Sequence, residues 1–272
     1  KVGKWIPLFI MTSEKNHKDT VDFFEEKGYF GYERKYVYFF VQKMAPSVGY
    51  DGKIFMEEKY KISSSPNGNG GWFISLEKAG LLDKISEMGI EWLNVFSVDN
   101  VLQKIADPVF VGAVIENGCV CGSKVVAKAD PNERVGVLCL EDGKPSIVEY
   151  YEMTDEMIHS RDEEGKLLYN YGVILNYLFN VEVLTRITNQ NLPNHIVEKK
   201  IPYINDNAEY VKPEEPNGYK FETLVLDMIH MMDNCLSFEV IRDREFAPIK
   251  NATGVDSLES ARELMKKNGM EF

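Results

Sequence analysis

Residues able to do chemistry in this chain stand at the ends of apolar runs. Asp99 follows the run Trp92 to Val98, so a charge closes a buried strand. Such a charge costs free energy unless it is solvated, paired or bound to a cation. Hard cations prefer oxygen ligands, so Mg²⁺ binding and phosphate handling both suit an aspartate there. Capping of a following helix suits it equally. Asn67-Gly68-Asn69-Gly70-Gly71 sets glycines directly before a helical stretch. That arrangement leaves backbone N–H groups free and lets a planar ligand approach closely, while Asn-Gly pairs also build ordinary tight turns. It is neither a Walker A loop nor G-x-G-x-x-G. Lys250 lies in Ala247-Pro248-Ile249-Lys250-Asn251, and Glu149-Tyr150 closes a hairpin strand. By residue type alone these two read as a loop lysine and an exposed strand end. The set Leu224, Leu226, Met228, Met231 and Met232 reads as core packing.

The elements that must position these residues alternate between strand and helix, which predicts an α/β fold with a mixed, mainly parallel sheet and flanking helices. Trp5 to Met11, Tyr36 to Val41 and Trp92 to Val98 read as strands buried on both faces. If these three are parallel, Thr12-Ser13, Gln42, Asp99 and Asn100 share their carboxyl edge, where open α/β sheets bind ligands. Lys18 to Gly28 and Trp72 to Met88 read as helices, and Leu102 to Gly118 as helix and loop broken at Asp107-Pro108. The stretch Asp51 to Gly71 is too long and too glycine-rich for an ordinary connection. Lys124 to Ala129, Arg134 to Leu140 and Ser146 to Tyr151 read as short strands, the last two facing each other across an Asp142-Gly143 turn. Val173 to Ile187 reads as a helix, as does Phe221 to Met232. Lys200 to Ile204 and Leu236 to Ile241 read as strands, Arg242 to Asn251 as loop, and Asp256-x-x-Glu259 as a capping box opening a last helix.

Composition narrows the function. The 272 residues hold 44% apolar and 27% charged residues, a globular balance. Asp and Glu number 43 against 31 Lys and Arg, a formal charge of −12, which disfavours nucleic-acid backbones and anionic membranes as partners. No apolar run approaches the roughly 18 residues needed to span a bilayer, and the opening Lys1-Val2-Gly3-Lys4 does not read as a leader. Cys119, Cys121, Cys139 and Cys235 form no C-x-x-C pair, which fits reduced thiols in a cytoplasmic protein. The four histidines are scattered, so metal chemistry falls to carboxylates.

The motifs resemble those of the eukaryotic-type UDP-N-acetylhexosamine pyrophosphorylases, within the UDP-sugar pyrophosphorylase superfamily. Ile6-Pro7-Leu8-Phe9-Ile10-Met11-Thr12-Ser13, Phe39-Phe40-Val41-Gln42, Pro66-Asn67-Gly68-Asn69-Gly70-Gly71 and Ser97-Val98-Asp99-Asn100 carry the resemblance in the first half. Lys124-Val125-Val126-Ala127-Lys128, Val148-Glu149-Tyr150-Tyr151-Glu152 and Phe246-Ala247-Pro248-Ile249-Lys250-Asn251 carry it further, in family order. The resemblance implies a glycosyltransferase-A-like (Rossmann-like) core and Mg²⁺-dependent (or Mn²⁺-dependent) transfer of UMP from UTP to an N-acetylhexosamine 1-phosphate. The products are a UDP-sugar and pyrophosphate. By similarity Gln42 and Gly68 bind uracil, and Asn69 reaches the sugar. Asp99 sits by ribose and metal, Gly136, Glu149 and Tyr150 shape the hexose pocket, and Lys250 holds phosphate charge.

The chain departs from the family pattern at Val41, where relatives carry the first of a glutamine pair, and at three positions in its second half. Val173 stands where relatives carry an Asn that contacts the sugar, and Leu224 and Leu226 replace two Phe near the acetamido group. The family's G-G-x-G-T-R-L-G loop does not occur in these residues, and the small C-terminal domain is expected to be missing. Residues 1–272 are therefore expected to form a central nucleotidyltransferase domain, incomplete at its N-terminus. A broad UDP-sugar or UDP-glucose pyrophosphorylase and a non-catalytic nucleotide-sugar binding fragment are the alternatives.

Overall fold

Val37-Tyr38-Phe39-Phe40-Val41 is the β-branched and aromatic run that suits a pleated, half-buried surface, and Val37–Val41 forms a strand. It pairs in parallel with strand Leu8–Thr12, bringing Thr12 opposite Val41. The computed structural model describes residues 3–187 and 192–271, so Lys1 and Val2 lie outside the described residues. Two compact units emerge from its contacts, residues 1–89 with 188–228 and residues 90–187 with 229–272.

In the first unit, helix His17–Glu26 makes the crossover between the two parallel strands. The Gln42 N–H donates to the Thr12 carbonyl at 2.8 Å, so Thr12-Ser13 and Gln42 do share one carboxyl edge. The polar stretch after Asp51 folds into short strands, Met56–Glu58, Lys61–Ile62 and Ser64–Pro66. Ser64–Pro66 runs antiparallel to Met44–Pro46. The helical region after the glycines is two helices, Trp72–Lys78 and Leu81–Glu87, parted at Gly80.

The second unit is built on a six-stranded sheet. Its central strand is Tyr171–Asn180, which runs antiparallel to Cys121–Ala127, Trp92–Phe96 and Val137–Glu141. Val173 therefore opens no helix: helix begins only at Val181–Ile187. A continuous apolar run buried on both faces carries no period that separates strand from helix. The expected mainly parallel sheet is likewise corrected, for among the described strands only two pairs are parallel, Leu8–Thr12 with Val37–Val41 and Leu236–Glu239 with Cys121–Ala127. The segment expected to cross over as a helix is instead a strand lying between Trp92–Phe96 and Cys121–Ala127 and running against both. The hairpin forms as expected, with Glu141 opposite Lys144 across Asp142-Gly143. The stretch Phe221 to Met232 is a strand end, Gly218–Glu222, followed by the four-residue helix Asp227–His230. The final helix, Leu258–Lys267, is capped by Ser257 with Ser260 in place of the expected Asp256 and Glu259.

One charge lies deep in this unit. Lys124 is fully buried, and its ammonium donates to Glu245 Oε2 at 2.6 Å and Asp107 Oδ2 at 2.9 Å, 5.5 Å from the Phe110 ring centre. Asp107 also caps helix Pro108–Glu116 by accepting from the Val109 N–H. Glu245 Oε1 takes a second ammonium, Lys104, at 2.9 Å. Burial pushes the Asp107 carboxyl up, but the hydrogen bond and charge of Lys124, with the Val109 N–H, outweigh it and hold Asp107 below its ordinary value.

Removing one partner of a buried ion pair strands the others, so Lys124→Met is expected to lower unfolding free energy by about 3–5 kcal/mol, read by urea denaturation. Because the folded Asp107 pKa is depressed, its stabilisation is present at neutral pH and is lost as pH falls below about 4. Asp107→Asn keeps the cap and is expected to make the acid limb of the stability curve shallower, measured as melting temperature against pH. An unchanged acid limb refutes the role given to this carboxylate.

Candidate active site

The expected site residues fall into three clusters. In the first unit the glycine loop is laced to the end of strand Gly218–Glu222. The Gly70 N–H donates to the Thr223 carbonyl at 2.8 Å, the Thr223 N–H to the Asn67 carbonyl at 3.2 Å, and the Val225 N–H to Asn69 Oδ1 at 2.9 Å. A Cβ at Gly68 falls 2.2 Å from the Thr223 carbonyl oxygen, and one at Gly70 falls 2.7 Å from the Leu224 backbone. These two glycines are thus demanded by the chain's own packing, and the Gly70 N–H is spent inside the protein. The Asn67 N–H reaches the Lys43 carbonyl at 3.2 Å, which joins the loop to the segment of Gln42. Gln42, Gly68 and Asn69 are half-buried together there. The exposed amine of Lys78 lies close to that of Lys43, and this crowding by a like group, with some desolvation, holds Lys78 below its ordinary value. A bound anion relieves such crowding.

In the second unit Asp99 stands in a turn and caps no helix; the helix that follows is capped by Asp107. The Ser97 hydroxyl donates to Asp99 Oδ1, and Oδ2 makes no hydrogen bond among the described residues. The Asp99 carbonyl accepts from the Ile249 N–H at 3.0 Å, placing the Lys250 segment beside it. Lys250 is exposed, and its N–H donates to the Asp256 carbonyl at 2.7 Å. The turn carrying Asp99 is secured from its other side by amides. Asn94 Nδ2 donates to Asn176 Oδ1 and Asn176 Nδ2 to Gln103 Oε1, each at 2.7 Å, and the Ala106 N–H reaches Asn94 Oδ1 at 2.8 Å.

The third cluster is Gly136, Glu149 and Val173. A Cβ at Gly136 meets Ile147 Cγ2 at 3.1 Å, Val173 Cγ2 at 3.4 Å and Glu149 Oε1 at 3.5 Å. Glu149 is half-buried, with its N–H on Glu152 Oε2 at 2.9 Å. Tyr150 is exposed and packs edge-on against Tyr151. No group of three or more His, Cys, Asp or Glu among the described residues gathers as a metal site. Mg²⁺ needs less, since it is commonly held by one or two carboxylates with substrate phosphates and water. A single open carboxylate at Asp99 fits that donor set.

The model of the UTP–glucose-1-phosphate uridylyltransferase family matches residues 1–271. The chain belongs to this family. A human relative, "UDP-N-acetylhexosamine pyrophosphorylase-like protein 1", is 41% identical over 254 residues, covering 92% of this chain and 50% of that protein. The Saccharomyces cerevisiae "UDP-N-acetylglucosamine pyrophosphorylase" is 38% identical over 278 residues, covering 98% of this chain and 58% of that protein. A solved structure described as a putative UDP-N-acetylglucosamine pyrophosphorylase from Entamoeba histolytica aligns with a TM-score of 0.90 at 32% identity, over 96% of this chain and 66% of that one. The chain spans about half the length of the curated relatives it matches.

Within this uridylyltransferase-family chain, residue types alone passed over Lys124 and Glu245 as organisers of the site, while Asn100, placed beside Asp99 at the strand edge, proves to be buried and doubly hydrogen-bonded. A lysine in the strand Cys121–Ala127, between Ser123 and Val125, was the visible signal, because a charge in such a run needs buried partners. Glu245 carries no such signal, sitting in the charged run Arg242-Asp243-Arg244-Glu245.

Two substitutions in one loop separate packing from chemistry. Gly68 has φ +66°, so Gly68→Ala is both strained and clashing and is expected to cost about 2 kcal/mol or more. A Cβ at Gly71 meets only Thr223 Oγ1, at 3.8 Å, so Gly71→Ala is expected to cost under about 1 kcal/mol. Equal losses in melting temperature contradict the close-approach account.

Proposed function

We propose that the full-length protein is a uridylyltransferase that makes UDP-N-acetylglucosamine, with UDP-N-acetylgalactosamine as a second product, from UTP and the N-acetylhexosamine 1-phosphate. The observation that carries the reading is the hydrogen bond tying Asp99 to the Lys250 segment, in a chain 38% identical to a yeast protein of that named activity. A phosphate oxygen of the sugar 1-phosphate attacks the α-phosphorus of UTP. A new P–O bond forms, the bond from that phosphorus to the oxygen bridging to the β-phosphate breaks, and pyrophosphate leaves with the electron pair. Such a displacement needs positioning and charge neutralisation and no covalent nucleophile. Lys250 supplies a cation to the phosphates, which a chain of charge −12 needs locally. Mg²⁺ (or Mn²⁺), held by Asp99, neutralises phosphate charge when bound.

In this reading Gln42 and Gly68 hold uracil, Asn69 and Tyr150 contact the sugar, and Gly136 with Glu149 forms the hexose wall. The core is glycosyltransferase-A-like, and residues 1–272 are the central nucleotidyltransferase part of a cytoplasmic enzyme. No helix among the described residues is long and apolar enough to cross a membrane. Val173 lying against Gly136 favours a second reading, a broader UDP-sugar pyrophosphorylase, because an apolar wall discriminates weakly between sugar hydroxyls.

A coupled pyrophosphate assay of the full-length protein across sugar 1-phosphates tests both. Release with N-acetylglucosamine 1-phosphate and divalent cation is the expected result; release only with glucose or galactose 1-phosphate selects the second reading. Lys250→Ala and Asp99→Ala are each expected to lower kcat about 10²-fold or more while melting temperature barely moves. Unchanged rates in both variants remove the assigned roles.

A further inference from the structure

We propose that Asn100 is a positioning residue that sets where Asp99 and Lys250 stand relative to each other. As a statement about turnover this rests on the uridylyltransferase reading above. Asn100 is 4% exposed, and both ends of its amide are engaged. Its Nδ2 donates to the Glu245 carbonyl at 2.8 Å. Its Oδ1 accepts from the Ala247 N–H at 2.8 Å and the Leu102 N–H at 3.3 Å. Around that clamp the two segments are stitched by main chain: the Val101 N–H reaches the Ala247 carbonyl at 3.3 Å, and the Ile249 N–H reaches the Asp99 carbonyl at 3.0 Å.

No direct hydrogen bond or ion pair between the Asp99 and Lys250 side chains occurs among the described residues. Their separation is therefore inherited from the backbone that Asn100 pins. Only an amide offers a donor and an acceptor at this length. Aspartate lacks the donor toward the Glu245 carbonyl, and leucine lacks both. The far side of the clamp is itself immobilised, because the Glu245 carboxylate is gripped by Lys124 and Lys104. Asn100 thus passes the rigidity of a buried ion cluster to two groups that stand outside it. A displacement of about 1 Å at a reacting centre costs on the order of 10²-fold in rate.

Asn100→Ala in the full-length protein is expected to lower kcat by about 30–100-fold, with KM for UTP within about threefold of wild type. Because Asn100 acts through Lys250, its loss combined with Lys250→Ala is expected to fall short of the product of the single losses by about tenfold or more. Fully multiplicative losses, or a kcat within twofold of wild type, overturn the proposal. Amide hydrogen exchange provides a readout independent of activity. The Ala247 and Ile249 amides are expected to exchange about tenfold or more faster in Asn100→Ala, with the Cys121–Ala127 strand unchanged. Uniform acceleration of both means that Asn100 is merely stabilising, and no local acceleration means that it clamps nothing. Absence of turnover in wild type sinks the uridylyltransferase reading while leaving the exchange result to decide the clamp.

Discussion

A buried ammonium must be surrounded by acceptors or it cannot stay charged inside the protein. Lys124 meets that requirement by drawing in Asp107 from the start of one helix and Glu245 from the short helix Arg242–Glu245. The requirement is geometric as well as energetic. Two carboxylates within 3 Å of one nitrogen fix three chain segments against each other, and apolar packing alone allows small slides between them. Phe110 and Val114, on the helix that Asp107 caps, then fill the space against Leu178 of the central strand.

This cluster in turn places the turn at 97–106 and the loop at 245–251. The amide chain Asn94–Asn176–Gln103 ties the turn to the sheet, and Asn100 ties it to the loop. Asp99 and Lys250 lie just beyond those ties, solvated enough to meet a charged ligand and anchored enough not to wander. Groups that neutralise developing charge work best when they need no reorganisation. A site assembled from a half-buried carboxylate and an exposed lysine on pinned backbone is one way to satisfy that condition.

Legibility of the fold varied with how local each signal was. The Asp142-Gly143 hairpin, helix His17–Glu26 and strand Val37–Val41 follow from turn chemistry, period and β-branching within a few residues. Tyr171–Asn180 was opaque for the opposite reason. It is largely apolar along its length, so only its three partner strands distinguish it from helix. Phe221 to Met232 misled similarly: strand Gly218–Glu222 takes its identity from pairing with His195–Lys199. In the candidate site, Asp99 was visible as a charge closing an apolar run, whereas its choice between helix cap and open carboxylate depended on where the next helix began.

The residues by themselves determined the chemical inventory: an acidic chain, a carboxylate at a strand end, a glycine-rich loop and a lysine in an Ala-Pro-Ile-Lys-Asn segment, in the order of one family. They also determined the short-range turns, because those depend on a few dihedrals. Tertiary structure alone decided that Gly68 and Gly70 are small to admit the 223–225 backbone, that Asp99 caps nothing, and that Glu245 is buried while Arg244 beside it is exposed. Each of these outcomes turns on groups far apart in sequence, brought within a few ångströms by the need to satisfy buried charge and buried backbone at once.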